Sequence, residues 1–544
     1  MFIALQSTSR GVVATELSDD GVPGEGAVVA EAALPAWVTE REPERPRWVW
    51  NDTSRWYPPL LAAGVRVERC VDLRLCHTIL RNSAAAASSA LTTAARDAWD
   101  APPRARAVAA SDALFDLDAP EDDDDPVVEW QRQRETTAGA GDEGRLALLL
   151  AAESVGALVA AEMRFAGLPW SVEEHDRVLT EMLGPRIPNA RPARLEALVY
   201  RLRELLDAPG LNPDSQQDLL KALQNAGFRV ESTSKWEIRE IDHPAVEPLL
   251  EYKSLSRLLS ANGWHWLEEW VRDGRFRPVY VPGGVVTGRW ASDGGGALQL
   301  PKQVRSAVVP DPGWRFVVAD ASQLEPRVLA AMSGDRAMAR AGQASDMYQG
   351  MVDTGAVETR EQAKYGMLGA IYGGTTGESG RMRPRIEKAF PAAMAFVEAA
   401  ARAGEHGDVV STWLGRSSPP GVELGYDETA TEAQKRRTQQ RAAAWGRFTR
   451  NFVVQGTAAE WALCWMGSLR RRLWSMGAGS LVEKPHLVFF LHDELIVHTP
   501  EAMAEDVVVA MRESAAEAGR LLFGGVPVEF AVSVSVVDRY SDAK

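Results

Sequence analysis

The sequence predicts a multidomain α+β protein, and three observations carry that prediction. The chain has 544 residues, room for about three or four domains at roughly 150 residues each. Its middle stretch, 143–259, repeats apolar residues at helical spacing,. On either side of that stretch, short strand-like runs alternate with helical blocks. A composition of 45% hydrophobic and 25% charged residues excludes a disordered chain, a collagen and a coiled coil,. The net charge of -15 argues against nucleic-acid binding by bulk charge but permits a local basic groove,. Three cysteines, with no Cys-x-x-Cys pair, predict neither a disulfide scaffold nor a thiolate zinc site and point to a reducing compartment,.

The elements follow in order. Residues 2–5, 12–17 and 48–50 read as strands, and 55–63 and 72–81 as helices, an α/β start,. Residues 116–125 hold seven acids in ten positions and read as a solvated loop,. The apolar run 146–161 contains Glu153 and falls short of the about 20 residues that span a bilayer, so it reads as a buried helix,. No basic lead precedes the apolar start, and a cytoplasmic protein is expected,. Ser171-Val172-Glu173-Glu174 has the form of a capping box,. Further strands are expected at 279–281, 315–319, 486–491, 495–498 and 526–537.

Two of these strands end in acids. One leads into Asp320, and another into His492-Asp493-Glu494, which a further apolar run follows at once, so the acids sit at a hairpin tip. An acid at a strand end is usually a cap or a turn residue. Two such strands side by side would bring Asp320 and Asp493 together, and a cation relieves the repulsion between them. Mg²⁺ favours carboxylate oxygens, and the pairing alone leaves both readings open. Arg360, Lys364 and Leu368 share one face of a predicted helix, 358–372, which Gly373-Gly374 ends,. That face is either solvated surface or a grip for a triphosphate. Basic clusters at 381–388, 435–441, Arg447/Arg450 and 470–472 are each either surface or part of a phosphate groove,.

Taken together, the motifs resemble those of family A DNA polymerases of the polymerase I type. Asp320-Ala321-Ser322-Gln323-Leu324-Glu325-Pro326-Arg327 resembles the first palm motif, and His492-Asp493-Glu494 the last. Arg360-x3-Lys364-x7-Tyr372-Gly373 resembles the nucleotide-binding fingers helix. Arg447-x3-Asn451-x3-Gln455-Gly456-Thr457-Ala458-Ala459-Glu460 resembles the block ending Gln-Gly-Thr-Ala-Ala-Asp. Thr287-Gly288-Arg289, Leu298-Gln299-Leu300-Pro301 and Leu249-Leu250-Glu251-Tyr252-Lys253 resemble upstream elements, in the same order.

The resemblance implies a right-hand fold: an antiparallel palm sheet with helical fingers and thumb, preceded by an α/β exonuclease-like domain. It divides the chain into 1–142 (exonuclease-like, inactive, with the acidic loop 116–125), 143–282 (thumb), 283–334 (palm, first part), 335–444 (fingers) and 445–544 (palm, second part). The implied reaction is template-directed addition of deoxynucleotides to a primer 3′-hydroxyl, in repair or replication. Asp320 and Asp493 would hold two Mg²⁺ ions, for which Mn²⁺ can substitute, with Glu494 as a supporting carboxylate. Lys364 would serve as a catalytic acid. Arg360, Lys364, Leu368, Tyr372, Glu325, Gln323 and His492 would line the nucleotide site. Arg289, Arg447, Asn451 and Gln455 would contact DNA. The implied partners are primer–template DNA and dNTPs, with no membrane, for a monomer at the nucleoid. A separate 5′-nuclease would act beside it, since the resemblance includes no 5′-nuclease domain.

The chain departs from the family pattern at Ala321, Pro326, Leu368 and Phe490. It lacks the carboxylate set of a 3′–5′ exonuclease. Arg55 follows Asn51 where the family has Asp, and Leu150-Ala151-Ala152-Glu153-Ser154 stands where a Tyr-x3-Asp is expected. No proofreading activity is therefore expected. The competing readings are a single-subunit RNA polymerase, a silent DNA-binding scaffold and a proofreading nuclease. Glu325 and His492-Asp493-Glu494 weigh against the first. Retention of Asp320, Asp493, Arg360 and Lys364 weighs against the second.

Overall fold

The computed structural model describes residues 1–101, 124–188, 190–374, 377–421 and 431–543. Chain contacts divide the protein into two units, one drawn from 1–166, 279–293 and 317–536 and the other from 167–278, 294–316 and 537–544.

The first unit begins with a five-stranded sheet. Its order is Pro23–Val29, Gly11–Leu17, Phe2–Thr8, Arg47–Trp50, Arg69–Asp72. The first three strands are antiparallel, and the last two run parallel to Phe2–Thr8. Trp48, Trp50 and Tyr57 fill its core. Three strands were legible in the sequence. Pro23–Val29 and Arg69–Asp72 were not, the first because it is a mostly exposed strand with two glycines and no apolar alternation, the second because it is only four residues long and runs straight into the helix that was expected to start at Asp72,. The helices Thr53–Ala62 and Leu73–Arg81 are capped by the side chains of Asp52 and Asp72,.

Of the acidic block, residues 116–123 lie outside the described residues. Asp125, expected in the same loop, is instead the cap of helix Pro126–Ala138. Its carboxylate accepts from the N–H groups of Val127 (2.8 Å) and Val128 (3.3 Å), with Pro126 in the first helical turn,.

Helix Glu143–Ala166 is 24 residues long and passes the length and composition test for a membrane span, but 67% of its apolar window is buried inside the protein. It is the core helix the sequence predicts. It packs on helix Thr53–Ala62 and strand Arg69–Asp72, within the unit that holds the N-terminal sheet.

The second sheet of this unit has the order His486–Leu491, Glu494–Pro500, Trp314–Ala321, Val532–Val537. The strand expected over 526–537 starts only at Val532. Before it, backbone groups bond elsewhere: Val528 N–H to the Val526 carbonyl (2.8 Å) and Glu529 N–H to the Gly342 carbonyl (3.1 Å),. Helix Glu432–Ser475 runs 44 residues, about 66 Å at 1.5 Å per residue. It packs against Pro391–Glu405, Ala504–Phe523 and Glu143–Ala166. It passes unbroken through residues 444 and 445, where the sequence placed a domain boundary.

The second unit is mainly helical, with Val172–Leu183, Ala193–Leu205, Gln216–Asn225 and Val246–Asn262 beside a short sheet of Leu168–Pro169, Arg275–Phe276 and Val271–Arg272. The expected capping box is only half formed. Ser171 accepts from the Glu174 N–H at 3.1 Å, but the Glu174 carboxylate takes Arg177 at 2.8 Å as its partner.

Candidate active site

The central strand Trp314–Ala321 carries Asp320 one residue before its end. Its neighbour in the sheet, Glu494–Pro500, is the second arm of a hairpin in which Leu491 pairs with Glu494 across the two-residue turn His492-Asp493. The Ala321 N–H donates to the Asp493 carbonyl at 2.9 Å. This bond joins the two acid-bearing segments, which lie 172 positions apart in the chain. Asp320 and Asp493 are partly exposed, whereas Glu494 is 2% exposed and belongs to the strand rather than the turn.

The backbone here is strained. His492 has φ 60° and Gln323 has φ 51°. Two-residue hairpin turns require positive φ and favour Gly or Asn in that place. Such conformations cost about 1–3 kcal/mol each and gather at functional sites. Among the described residues, five non-glycine residues have positive φ, and two of them, His492 and Gln323, lie within three residues of Asp493 and Asp320. Gln323 also supports its surroundings, its side-chain oxygen accepting from the Met347 N–H at 3.1 Å.

Helix Arg360–Tyr372 starts at Thr359, whose hydroxyl accepts from the Gln362 N–H at 3.2 Å, and ends at Gly373 with φ 73°. Ala363, Met367, Ala370 and Ile371 form its buried face. Arg360 and Lys364 are exposed and Leu368 is half-buried, so the predicted basic face does face outward. Arg360 is not idle, because its Nε bonds Asp346 Oδ2 at 2.6 Å. That contact raises the Arg360 pKa. Asp346 caps helix Met347–Asp353 as well. Its role was invisible in the sequence, where it is one acid among many.

Glu325 links three of the predicted residues. Arg289 Nη2 lies 2.6 Å from Glu325 Oε1, the Tyr372 hydroxyl donates to Glu325 Oε2 at 2.8 Å, and Gln455 Nε2 donates to the Tyr372 hydroxyl at 3.4 Å. Burial, with Glu325 alongside, raises the Tyr372 pKa, so the phenol keeps the proton it donates. Arg447, Asn451 and Gln455 are spaced by four along helix Glu432–Ser475 and so share a face,. The protein thus joins Arg289, Glu325, Tyr372 and Gln455 in one network, and ties the segment of Asp320 to that of Asp493 through the Ala321–Asp493 backbone bond.

A buried support that the motifs did not reveal holds this cluster. Gly288 has φ 84°, and a Cβ there would meet Arg416 Nε at 2.5 Å, so only glycine allows the guanidinium to lie against the backbone before Arg289,. Arg416 is paired with Glu153, itself 1% exposed, from the core helix. Thr412 bonds Glu460, which also accepts from the Leu414 N–H at 3.0 Å. A Cβ on Gly456 would meet Thr412 Cγ2 at 2.4 Å and the Thr287 carbonyl at 3.0 Å, so the helix is packed directly on this loop. Burial pushes Glu460 up to about 7. The one signal in the sequence was Glu153 inside an apolar run, since a buried charge requires a partner.

The 470–472 cluster and Arg450 do not form an open groove. Arg470 is 4% exposed and bonds Glu162 at 2.7 Å. Arg471 and Arg472 pair with Glu517 and Glu513. Arg450 is buried, its Nε donating to the Ala370 carbonyl at 2.6 Å. These arginines join helices instead of waiting for phosphates.

A family model for DNA polymerase family A matches residues 192–542. Among curated relatives, a thermostable DNA polymerase I of Thermus filiformis is 29% identical over 383 residues, covering 63% of this chain and 43% of its own. That of Thermus aquaticus is 30% identical over 359 residues, covering 59% and 41%. The DNA polymerase I of Chloroflexus aurantiacus is 28% identical over 368 residues, covering 62% and 36%. The matched stretch is thus less than half the length of each of these relatives. Among solved structures, the POL domain of Pol1 from M. smegmatis, in complex with DNA primer-template and dNTP, superposes with a TM-score of 0.69. At 17% identity over 99% of this chain and 95% of that one, this is a likeness of fold.

Proposed function

The chain belongs to DNA polymerase family A, and from that membership we propose that it adds deoxynucleotides to a primer 3′-hydroxyl under the direction of a DNA template. The observation that carries the reading is the 2.9 Å bond from the Ala321 N–H to the Asp493 carbonyl, which holds two acid-bearing strand ends together. Their donor set, two partly exposed carboxylates, fits Mg²⁺ or Mn²⁺,. When bound, a pair of such ions acidifies the primer hydroxyl and offsets charge on the leaving pyrophosphate.

The other roles belong to the chain's own residues. Arg360 grips the triphosphate after exchanging Asp346 for phosphate, and Lys364 on the same face protonates the leaving pyrophosphate. Glu494 supports the acid pair, and His492 and Gln323 shape the loops beside it. Tyr372 stacks beside the template base. Arg289, Arg447, Asn451 and Gln455 read the minor-groove edge, where acceptors recur in every correct pair. In this reading the four-stranded sheet is the palm, helix Arg360–Tyr372 lies in the fingers, and the thumb, 143–282, includes the helices of the second unit. The N-terminal sheet belongs to the exonuclease-like domain, which serves as a scaffold without nuclease activity, and the protein works as a monomer. Primer extension on a defined template tests the proposal. Mg²⁺-dependent insertion of the templated dNTP is expected, and no extension with Mg²⁺ or Mn²⁺ would overturn it.

Sugar selection should be loose. Glu325, fixed by Arg289 and Tyr372, crowds a 2′-hydroxyl from one side. Leu368 cannot stack on the sugar from the other, as an aromatic would. Rejection by crowding is worth about 1–3 kcal/mol per group. Glu325→Ala should raise ribonucleotide insertion, and Leu368→Phe should lower it by about tenfold or more. Single-nucleotide kcat/KM ratios for dNTP and rNTP measure both, and a ratio unchanged by Leu368→Phe removes Leu368 from the gate.

Proofreading should be absent. Both Asp72 oxygens serve as backbone caps, accepting from Thr53 (2.8 Å) and Leu75 (3.1 Å), and Asp52 accepts from Ser54 (2.8 Å). Burial pushes Asp72 up to about 7. Ser154 accepts from the Asp72 N–H at 3.1 Å, and Glu153 is committed to Arg416. These acids support the reading of a structural domain. A mismatched primer should keep its 3′ end in Mg²⁺, and steady 3′ loss that persists in Asp320→Ala would contradict that.

A further inference from the structure

A second cluster of ligand-type side chains lies far in sequence from the acid pair, on the N-terminal side of the first unit. His77, Asp97 and Asp100 each offer one ligand atom within 4.8 Å of the others. His77 is 1% exposed and sits on helix Leu73–Arg81. Asp97 and Asp100 bracket the turn Ala98–Asp100. There the Trp99 N–H donates to Asp97 Oδ1 and the Asp97 N–H to Asp100 Oδ2, both at 2.9 Å.

The proton on His77 can be placed from its neighbours. Its Nδ1 lies 2.7 Å from Glu129 Oε1, which also accepts from Gln133 Nε2 at 2.6 Å. A carboxylate only accepts, so Nδ1 carries the hydrogen. That leaves Nε2 on the opposite side of the ring. It is buried with no hydrogen-bond partner among the described residues, and it faces Asp100 Oδ1 at 3.6 Å. A lone pair set against a carboxylate oxygen repels it unless a cation sits between them.

Two cations are available, a proton or a metal ion, and the distance separates them. An N–H···O bond spans about 2.7–3.2 Å, so the 3.6 Å gap is wider than the hydrogen bond a protonated ring would make,. Two ligands each about 2.0–2.1 Å from a tetrahedral zinc ion lie roughly 3.4 Å apart, close to the observed gap. The arrangement behind the ring has the form metal ligands commonly take: a carboxylate fixes the tautomer and aims the other nitrogen. Arg81 lies 3.3 Å from Asp100, and Arg132 lies 2.8 Å from Asp97 and 3.6 Å from Glu129. Two arginines face the three carboxylates of Asp97, Asp100 and Glu129, a balance of one negative charge before His77 and any ion are counted. Each aspartate still has lone pairs to offer.

We propose that His77, Asp97 and Asp100 bind one borderline divalent cation, of which Zn²⁺ is the type, with Glu129 as the positioning residue for His77. A nitrogen donor in the set disfavours Mg²⁺ and Ca²⁺. The ion pins the turn at 97–100 to helix Leu73–Arg81, and water completes its shell.

The test uses the full chain, stripped by a chelator and titrated with Co²⁺ and then Zn²⁺ in excess Mg²⁺. One equivalent of Co²⁺ should give visible bands of a four- or five-coordinate site, and Zn²⁺ should erase them. Glu129→Gln should weaken Zn²⁺ binding about 10–100-fold, and His77→Gln should abolish it. Asp320→Ala should leave uptake unchanged, which separates this site from the acid pair. Absence of Co²⁺ bands in the wild-type protein overturns the proposal. So does uptake that survives His77→Gln, or nitrogen NMR showing both His77 nitrogens protonated in saturating Zn²⁺. If His77→Gln fails to fold, the wild-type spectrum and Glu129→Gln decide.

Discussion

Asp320→Ala or Asp493→Ala should abolish primer extension while primer–template binding stays largely intact. In the proposed function both residues act through their carboxylate oxygens, whereas the bond that joins their strands is made by the backbone of Ala321 and Asp493. Truncating either side chain therefore leaves the sheet pairing in place and removes only the donor. Lewis-acid stabilisation is worth several kcal/mol, so the loss should be at least about 1000-fold, at 1.36 kcal/mol per factor of ten. Single-turnover extension and fluorescence anisotropy on the same primer–template measure the two quantities. Near-normal extension by either variant would show that the assignment of the acids is wrong.

Arg470→Ala should be strongly destabilising. Its guanidinium bonds both Glu162 oxygens (2.7 and 2.9 Å) and the carbonyls of Val67 (2.5 Å) and Glu68 (2.8 Å). The Tyr57 hydroxyl donates to the same carboxylate at 2.6 Å, and Arg66 lies 3.2 Å from it. Helix Glu432–Ser475 is thereby tied to helices Thr53–Ala62 and Glu143–Ala166. Removing one partner of a buried pair costs about 3–5 kcal/mol, because the other charge stays buried. Burial alone would raise the Glu162 pKa, but Arg470, Arg66 and the bonds outweigh it and leave it below the ordinary value. A carboxylate depressed in the folded state contributes stability above its unfolded pKa and loses it as pH falls through its folded pKa. The gap between wild type and Arg470→Ala should be widest near neutral pH and shrink in acid. Denaturant midpoints across pH measure it, and a gap independent of pH would contradict the role given to Glu162.

The elements around the site were legible wherever local pattern decides them. Strand His486–Leu491 and the stop at Gly373 follow from an apolar run and a C-terminal glycine. Residues that act across the chain were not legible. Glu153 and Arg416 are 263 positions apart, and neither stands in a motif that names the other. Arg470 reads as surface because it sits in a run of three arginines, and only the fold shows that its side of the helix faces Glu162. Asp346 was missed for the same reason. Its partner Arg360 is 14 positions away across two helices, too far for helical spacing to connect them. The acid pair lies between these cases. The sequence located each acid at a strand end, but only the sheet order makes the two strands neighbours.

The most direct test is the anomalous diffraction of Mn²⁺ in a crystal of this protein with primer–template and a templated dNTP. The expected result is a pair of Mn²⁺ peaks held by the carboxylates of Asp320 and Asp493. Mn²⁺ peaks away from both carboxylates, or none beside them in a complex that holds the nucleotide, would contradict it.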